Sequence, residues 1–147
     1  MDKLVQMLRQ AFANNFTLYL KSHNYHWTVT GSDFPQYHEF LNKFYDAFQE
    51  NIDTYAEKLR QIGAYPGGDY KDIVANTQIT DPADIVTDPQ QIFQNLHDDL
   101  DITIKWLQDT YDEAGTNRQY GIQNFLADKI DEMLQFQWMI TAILGGE

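Results

Sequence analysis

Residues 34 to 62 read as one long helix with two adjacent faces in use, and no other stretch restricts the fold so tightly. Phe34, Leu41, Tyr45, Phe48, Ile52, Tyr55, Ala56, Leu59 and Ile62 recur at the spacing of a surface that packs into a core. Beside them, His38, Asn42, Asp46, Asp53 and Glu57 fall within about 100° of one another, at about 100° per residue. They make a polar stripe. A helical rise of about 1.5 Å per residue sets His38 and Glu57 roughly 28 Å apart, too far for both to hold one ion in one chain. A second copy of the helix, antiparallel about a two-fold axis crossing near Phe48, brings the His38 end against its neighbour's Asp53 and Glu57. The expectation is a metal site shared between subunits.

The rest of the chain supplies the helices that this one needs as neighbours. Residues 2 to about 29 repeat Leu4, Leu8, Ala11, Phe12, Phe16, Tyr19, Leu20, Tyr25 and Trp27 at mostly three- and four-residue intervals, behind an N-terminal Asp2 that suits the helix dipole. Thr30, Gly31 and Ser32 end that helix, with Gly31 expected as its cap. Ser32 or Asp33 then caps the second, which accepts Pro35 in its first turn and stops near Gly63. So short a link makes the two helices antiparallel neighbours.

Ala64 to Pro89 contains Pro66, Gly67, Gly68, Pro82 and Pro89 and reads as a connection with one short helix near Asp69 to Ala75. It is long enough to span a bundle, which lets helices two and three run parallel. The third helix is expected from Pro89 to about Glu113 and the fourth from about Arg118 to Leu144, before Gly145 and Gly146. The fold class is therefore all-α: a ferritin-like four-helix bundle, one domain over 1–147, with a long crossover containing a short helix.

Composition narrows the chemistry. With no cysteine, thiolate sites, disulfides and cysteine nucleophiles are excluded, and a metal must be held by imidazole and oxygen. A formal charge of −12 repels nucleic acid and anionic lipid and concentrates cations. The N-terminus lacks the pattern of a secretory signal, and no run reaches about 18 apolar residues. A cytoplasmic protein without membrane contact is expected.

Two stretches resemble the motif regions of the Dps family, the mini-ferritins: HWTVTGSDFPQYHEFLN from His26 to Asn42 and IDTYAEKLRQIGAYP from Ile52 to Pro66. In that family a histidine followed by tryptophan on the first helix, and a second histidine with an acidic residue four positions later, face an aspartate and a glutamate of the partner chain. The matching positions here are His26, His38, Asn42, Asp53 and Glu57. The resemblance implies a homo-oligomeric, dodecameric shell that oxidises Fe2+ to Fe3+ at two-fold interfaces, with hydrogen peroxide or dioxygen as oxidant. It stores the ferric product and so protects against peroxide. Zn2+ and Mn2+ are alternative occupants. Glu57 would bridge two metals, His26 and Asp53 holding the stronger one and His38 and Asn42 the weaker. Trp27 matches a tryptophan beside the site and is a candidate electron donor to the oxidant.

Asn42 departs from the family's usual Asp or Glu, and an amide oxygen is a weaker, neutral ligand. Weaker occupancy of the second position and slower oxidation are expected, with Asp46, about 6 Å further along the axis, placed to assist through water. Tyr37, Tyr55 and Lys58 depart from the family as well, in packing more than in ligation.

Each residue also has a plainer use. A single histidine near a helix end is ordinarily a hydrogen-bonded structural residue, and Asp and Glu four apart are ordinarily a solvated face. His23 and His97 have no matched role, and the run HDDLD at 97–101 reads as a solvated helix face. Two alternatives to a ferroxidase stand: a non-catalytic metal-binding or structural shell, because of Asn42, and a DNA-associated protein. Charge and the absence of a lysine-rich arm before Asp2 weigh against DNA binding.

Overall fold

The computed structural model describes residues 1–146. Five helices follow one another: α1 (Asp2–Thr28), α2 (Phe34–Gln61), α3 (Tyr70–Asn76), α4 (Pro89–Thr116) and α5 (Tyr120–Ile143). The expected all-α bundle, its long crossover and its short helix are all present.

The contacts fix the directions. Asn15 of α1 donates to the Phe48 carbonyl of α2, while His26 near the end of α1 meets His38 near the start of α2, so these two helices are antiparallel. Trp106 Nε1 donates to the Met7 carbonyl and Asn95 to the Tyr25 hydroxyl, which sets α4 antiparallel to α1. Tyr37 and Phe40 of α2 pack on Phe93 of α4. The starts of α2 and α4 therefore meet, and the crossover does make them parallel.

The core is where the four apolar stripes converge. Leu4, Leu8 and Leu18 of α1, Leu41, Phe44, Phe48 and Leu59 of α2, Phe93, Leu96 and Leu100 of α4, and Leu126 and Met133 of α5 are all buried. Phe136 of α5 lies across Phe44 and Phe48 with centroids 5.0 and 6.2 Å away, sealing α2 to α5. Each such side chain contributes about 1.5–3 kcal/mol by leaving water, and Phe44→Ala would cost about 3–5 kcal/mol.

The crossover runs along α1 in the direction of α1 itself and is tied down by backbone groups. Arg9 donates to Tyr65 O, Asn14 accepts from Gln78 N, Lys21 donates to Thr80 O and Thr28 donates to Val86 O. These bonds satisfy a loop that has no ladder of its own.

Helix ends differ from the sequence expectations by a few residues, each for a local reason. Helix α1 stops at Thr28 with Val29 in an extended conformation, and Gly31 (φ 120°) serves the turn beyond instead of capping the helix. Asp69 and Asp88 cap α3 and α4 by accepting from Asp72 N and Gln91 N. Helix α4 runs past Glu113 to Thr116, and the missing side chain of Gly115 leaves room for Gln123 of α5, with which a Cβ there would collide. The turn is made instead by Arg118, in the left-handed region at φ 56°.

Candidate metal centre

The short link between α1 and α2 brings the last turn of one helix against the first turn of the other. There the imidazoles of His26 and His38 stack, with centroids 3.6 Å apart and planes 17° from parallel. Each ring is fixed by the other residue's backbone: His26 Nδ1 is 2.8 Å from His38 O, and His38 Nδ1 is 2.8 Å from His26 O. A carbonyl can only accept, so both Nδ1 atoms carry hydrogen. Nε2 is left on each ring as the atom that presents a lone pair, the arrangement by which proteins orient metal-binding histidines.

Burial lowers the His26 pKa below the ordinary imidazole value. The bond to the His38 carbonyl opposes this, His38 and His23 add to it, and the charge of Asp46 opposes it again. The neutral, ligating form is favoured. Phe34 covers the other side of His38, at 4.9 Å.

One turn along α2, Asn42 is held at both ends of its amide. Tyr45 donates its hydroxyl to Asn42 Oδ1 at 2.8 Å, and Asn42 Nδ2 donates to Asp46 Oδ2 at 3.0 Å. The Tyr45 pKa is raised, by burial first and then by Asp46 and Tyr19, so its hydroxyl stays a donor. Tyr45 also stands edge-on to His26 at 5.2 Å and stacks on His23 at 3.9 Å. His23 lies 4.3 Å from Trp27 and 3.2 Å from the Tyr19 hydroxyl.

Two contributors were not found from the sequence. Tyr45 counted as one more apolar position, and its hydroxyl has no periodic signature. His23 had no role: Tyr19 and Trp27 stand four residues either side of it on α1 and the approach of α2 adds Tyr45, while its position one turn before His26 was a partial signal. Trp27 itself is 62% exposed.

Asp53 and Glu57 are exposed on α2, separated from His38 by four to five turns of helix. The structure brings His26 and His38 together, sets Asn42 next along the helix, and leaves Asp53 and Glu57 at a distance within the chain. Among the described residues one trio of His or acidic side chains has ligand atoms within 4.8 Å of one another: His97, Asp98 and Asp101. Gln94 and Gln137 hold its two carboxylates at 2.9 and 2.7 Å. Asp98 and Asp101 are exposed, in keeping with a solvated helix face, whereas Asp99 of the same run is buried against Lys21 and does not belong to that face.

The same architecture recurs in known proteins. The Ferritin-like domain family matches residues 5–146. A low temperature-induced protein of Nostoc sp. is 29% identical over 145 residues, covering 98% of this chain and 81% of its own. The DNA protection during starvation protein of Helicobacter pylori is 25% identical over 146 residues, covering 97% and 99%. The crystal structure of the DPS protein from Vibrio cholerae O1, described as a member of a broad superfamily of ferritin-like diiron-carboxylate proteins, superposes with a TM-score of 0.92 at 27% identity, over 97% of this chain and 89% of that one. The match along almost the whole chain, with the bundle and crossover in the same order, makes this protein a member of the ferritin-like family and, within it, of the Dps group.

Proposed function

We propose that this protein is an iron-oxidising and iron-storing mini-ferritin whose reaction site is shared by two subunits. The observation that carries the proposal is the half-site at the α1–α2 junction. Two stacked imidazoles have their Nδ1 atoms tied to carbonyls and their Nε2 atoms left for a ligand, and among the described residues no metal-holding group of His and acidic side chains gathers around them. Asp53 and Glu57, exposed on the same helix, supply what is missing when α2 pairs antiparallel with a second copy.

The donor set fits iron as substrate. Neutral imidazole nitrogen suits Fe2+, and carboxylates favour the ferric product by opposing its extra charge. Each Fe2+ surrenders one electron, while hydrogen peroxide takes up two electrons and two protons to become two waters. A pair of iron ions at one site therefore balances one peroxide without releasing a radical. His26 and His38 would bind through Nε2, Asp53 and Glu57 would close the site from the neighbouring subunit, and Trp27 would quench stray oxidant through the His23–Tyr45 stack.

Leu20, Trp27, Leu134 and Trp138 are large apolar side chains about half or more exposed on the single chain. Their exposure on the single chain supports a homo-oligomer, for which we infer a dodecameric shell. A charge of −12 favours cation traffic and opposes DNA binding. Among the described residues no helix is long and apolar enough to cross a membrane, and a cytoplasmic setting fits peroxide protection.

The second reading is a shell that binds metal without rapid turnover. It draws on Asn42, whose amide oxygen is already engaged by Tyr45. Aerobic and peroxide-driven Fe2+ oxidation, with Glu57→Ala as control, separates the two. Oxidation faster than buffer and lost in the variant is expected; a rate equal to buffer would leave the non-catalytic shell.

A further inference from the structure

We propose that Asp46 supplies the carboxylate of the second metal position, with Asn42 acting as the residue that positions it. The inference rests on the shared-site function above and assigns the charge that Asn42 itself lacks. The amide at position 42 cannot be an anionic ligand, and its orientation is set from both sides. Its oxygen accepts from Tyr45 at 2.8 Å and its nitrogen donates to Asp46 Oδ2 at 3.0 Å.

This bond anchors one oxygen of Asp46. Among the described residues no other hydrogen bond and no ion pair involves this carboxylate, so its second oxygen is open to a cation. Side chains on a helix lean toward its N-terminus, which tilts Asp46 toward Asn42 and the histidine pair. Asp46 is exposed, and the Tyr45 ring that orients Asn42 stands 5.2 Å from His26. The amide thus holds an acid one turn further along, where the family resemblance implies one at position 42.

Had position 42 carried Asp, two carboxylates would have faced each other across this 3 Å contact and repelled. Asn42 and Asp46 therefore act as a unit in which either position can hold the acid and the other must be its amide partner. A merely solvated Asp46 has no such dependence.

The test is calorimetric titration of the assembled protein with Co2+, read also by visible absorption of the bound ion, for wild type, Asp46→Asn, the exchange variant Asn42→Asp/Asp46→Asn, and Glu57→Ala. Asp46→Asn is expected to weaken the second binding step by about 10- to 100-fold, and the exchange variant to recover most of it. Wild-type affinity in Asp46→Asn, or no recovery in the exchange variant, would overturn the assignment. If Asp46→Asn titrates like wild type while Glu57→Ala loses binding, Asp46 alone is wrongly placed. If Glu57→Ala also titrates like wild type, the shared-site function has failed, and this inference with it.

Discussion

His26 is where burial and the proposed ligation pull in the same direction. Desolvation holds its folded-state pKa below the value of about 6.5 expected in the unfolded chain. The unfolded chain therefore takes up the proton first on acidification. The stabilisation from neutral His26 is whole above about pH 6.5 and is lost as pH falls through the folded-state value. The midpoint of thermal unfolding should drop between about pH 7 and about pH 5, with a shallower slope in His26→Gln; equal slopes would contradict the assignment. Tyr55 offers a second test. Its hydroxyl is buried without a hydrogen-bond partner among the described residues, burial raises its pKa, and the ring packs edge-on against Phe125 at 5.0 Å. Tyr55→Phe removes the orphaned group and keeps the ring, so urea denaturation should show a gain of about 1 kcal/mol. A loss would mean that the hydroxyl has a partner in the assembly.

Between elements, the contact most sensitive to a single change is Lys21 with Asp99, which joins α1 to α4. Both side chains are nearly inaccessible, the Nζ to Oδ2 distance is 2.8 Å, and the same ammonium donates to Thr80 O in the crossover. Burial raises the Asp99 pKa in spite of the Lys21 contact, so this pair offsets a desolvation cost more than it adds stability. Lys21→Met should destabilise by about 3–5 kcal/mol, and Lys21→Met with Asp99→Leu should recover much of the loss in chemical denaturation. Equal losses in the single and double variants would show that the apolar replacement fails to pack. None of this was legible beforehand, because neither residue belongs to an apolar stripe and they are distant in sequence. The helices themselves were legible: periodicity of the apolar positions located all four long ones, and the Pro- and Gly-rich segment marked the crossover. Ends were less so: the third long helix, expected to stop near Glu113, runs to Thr116, with Gly115 serving a close approach to Gln123 of the next helix.

At the scale of the whole molecule, half of the candidate site could be read from spacing and the other half required the tertiary fold. The separation of His38 from Glu57 along one helix is what brings a second copy into the proposed site. That His26 joins His38 followed only from resemblance, and that the two rings lock each other through their backbones came only from the structure. The proposed function amounts to a division of labour: one surface of each subunit would carry nitrogen ligands and another oxygen ligands, so that a competent site would form only on assembly. The most direct measurement is subunit complementation. A chain with His26→Ala and His38→Ala is co-assembled with a chain carrying Asp53→Ala and Glu57→Ala, and Fe2+ binding and oxidation are measured on the purified mixed oligomer. Each variant alone should be inactive, and every mixed dimer should regain one of its two sites, because one pairing brings intact histidines to intact carboxylates. Mixed oligomers as inactive as either parent would contradict a site built by two subunits.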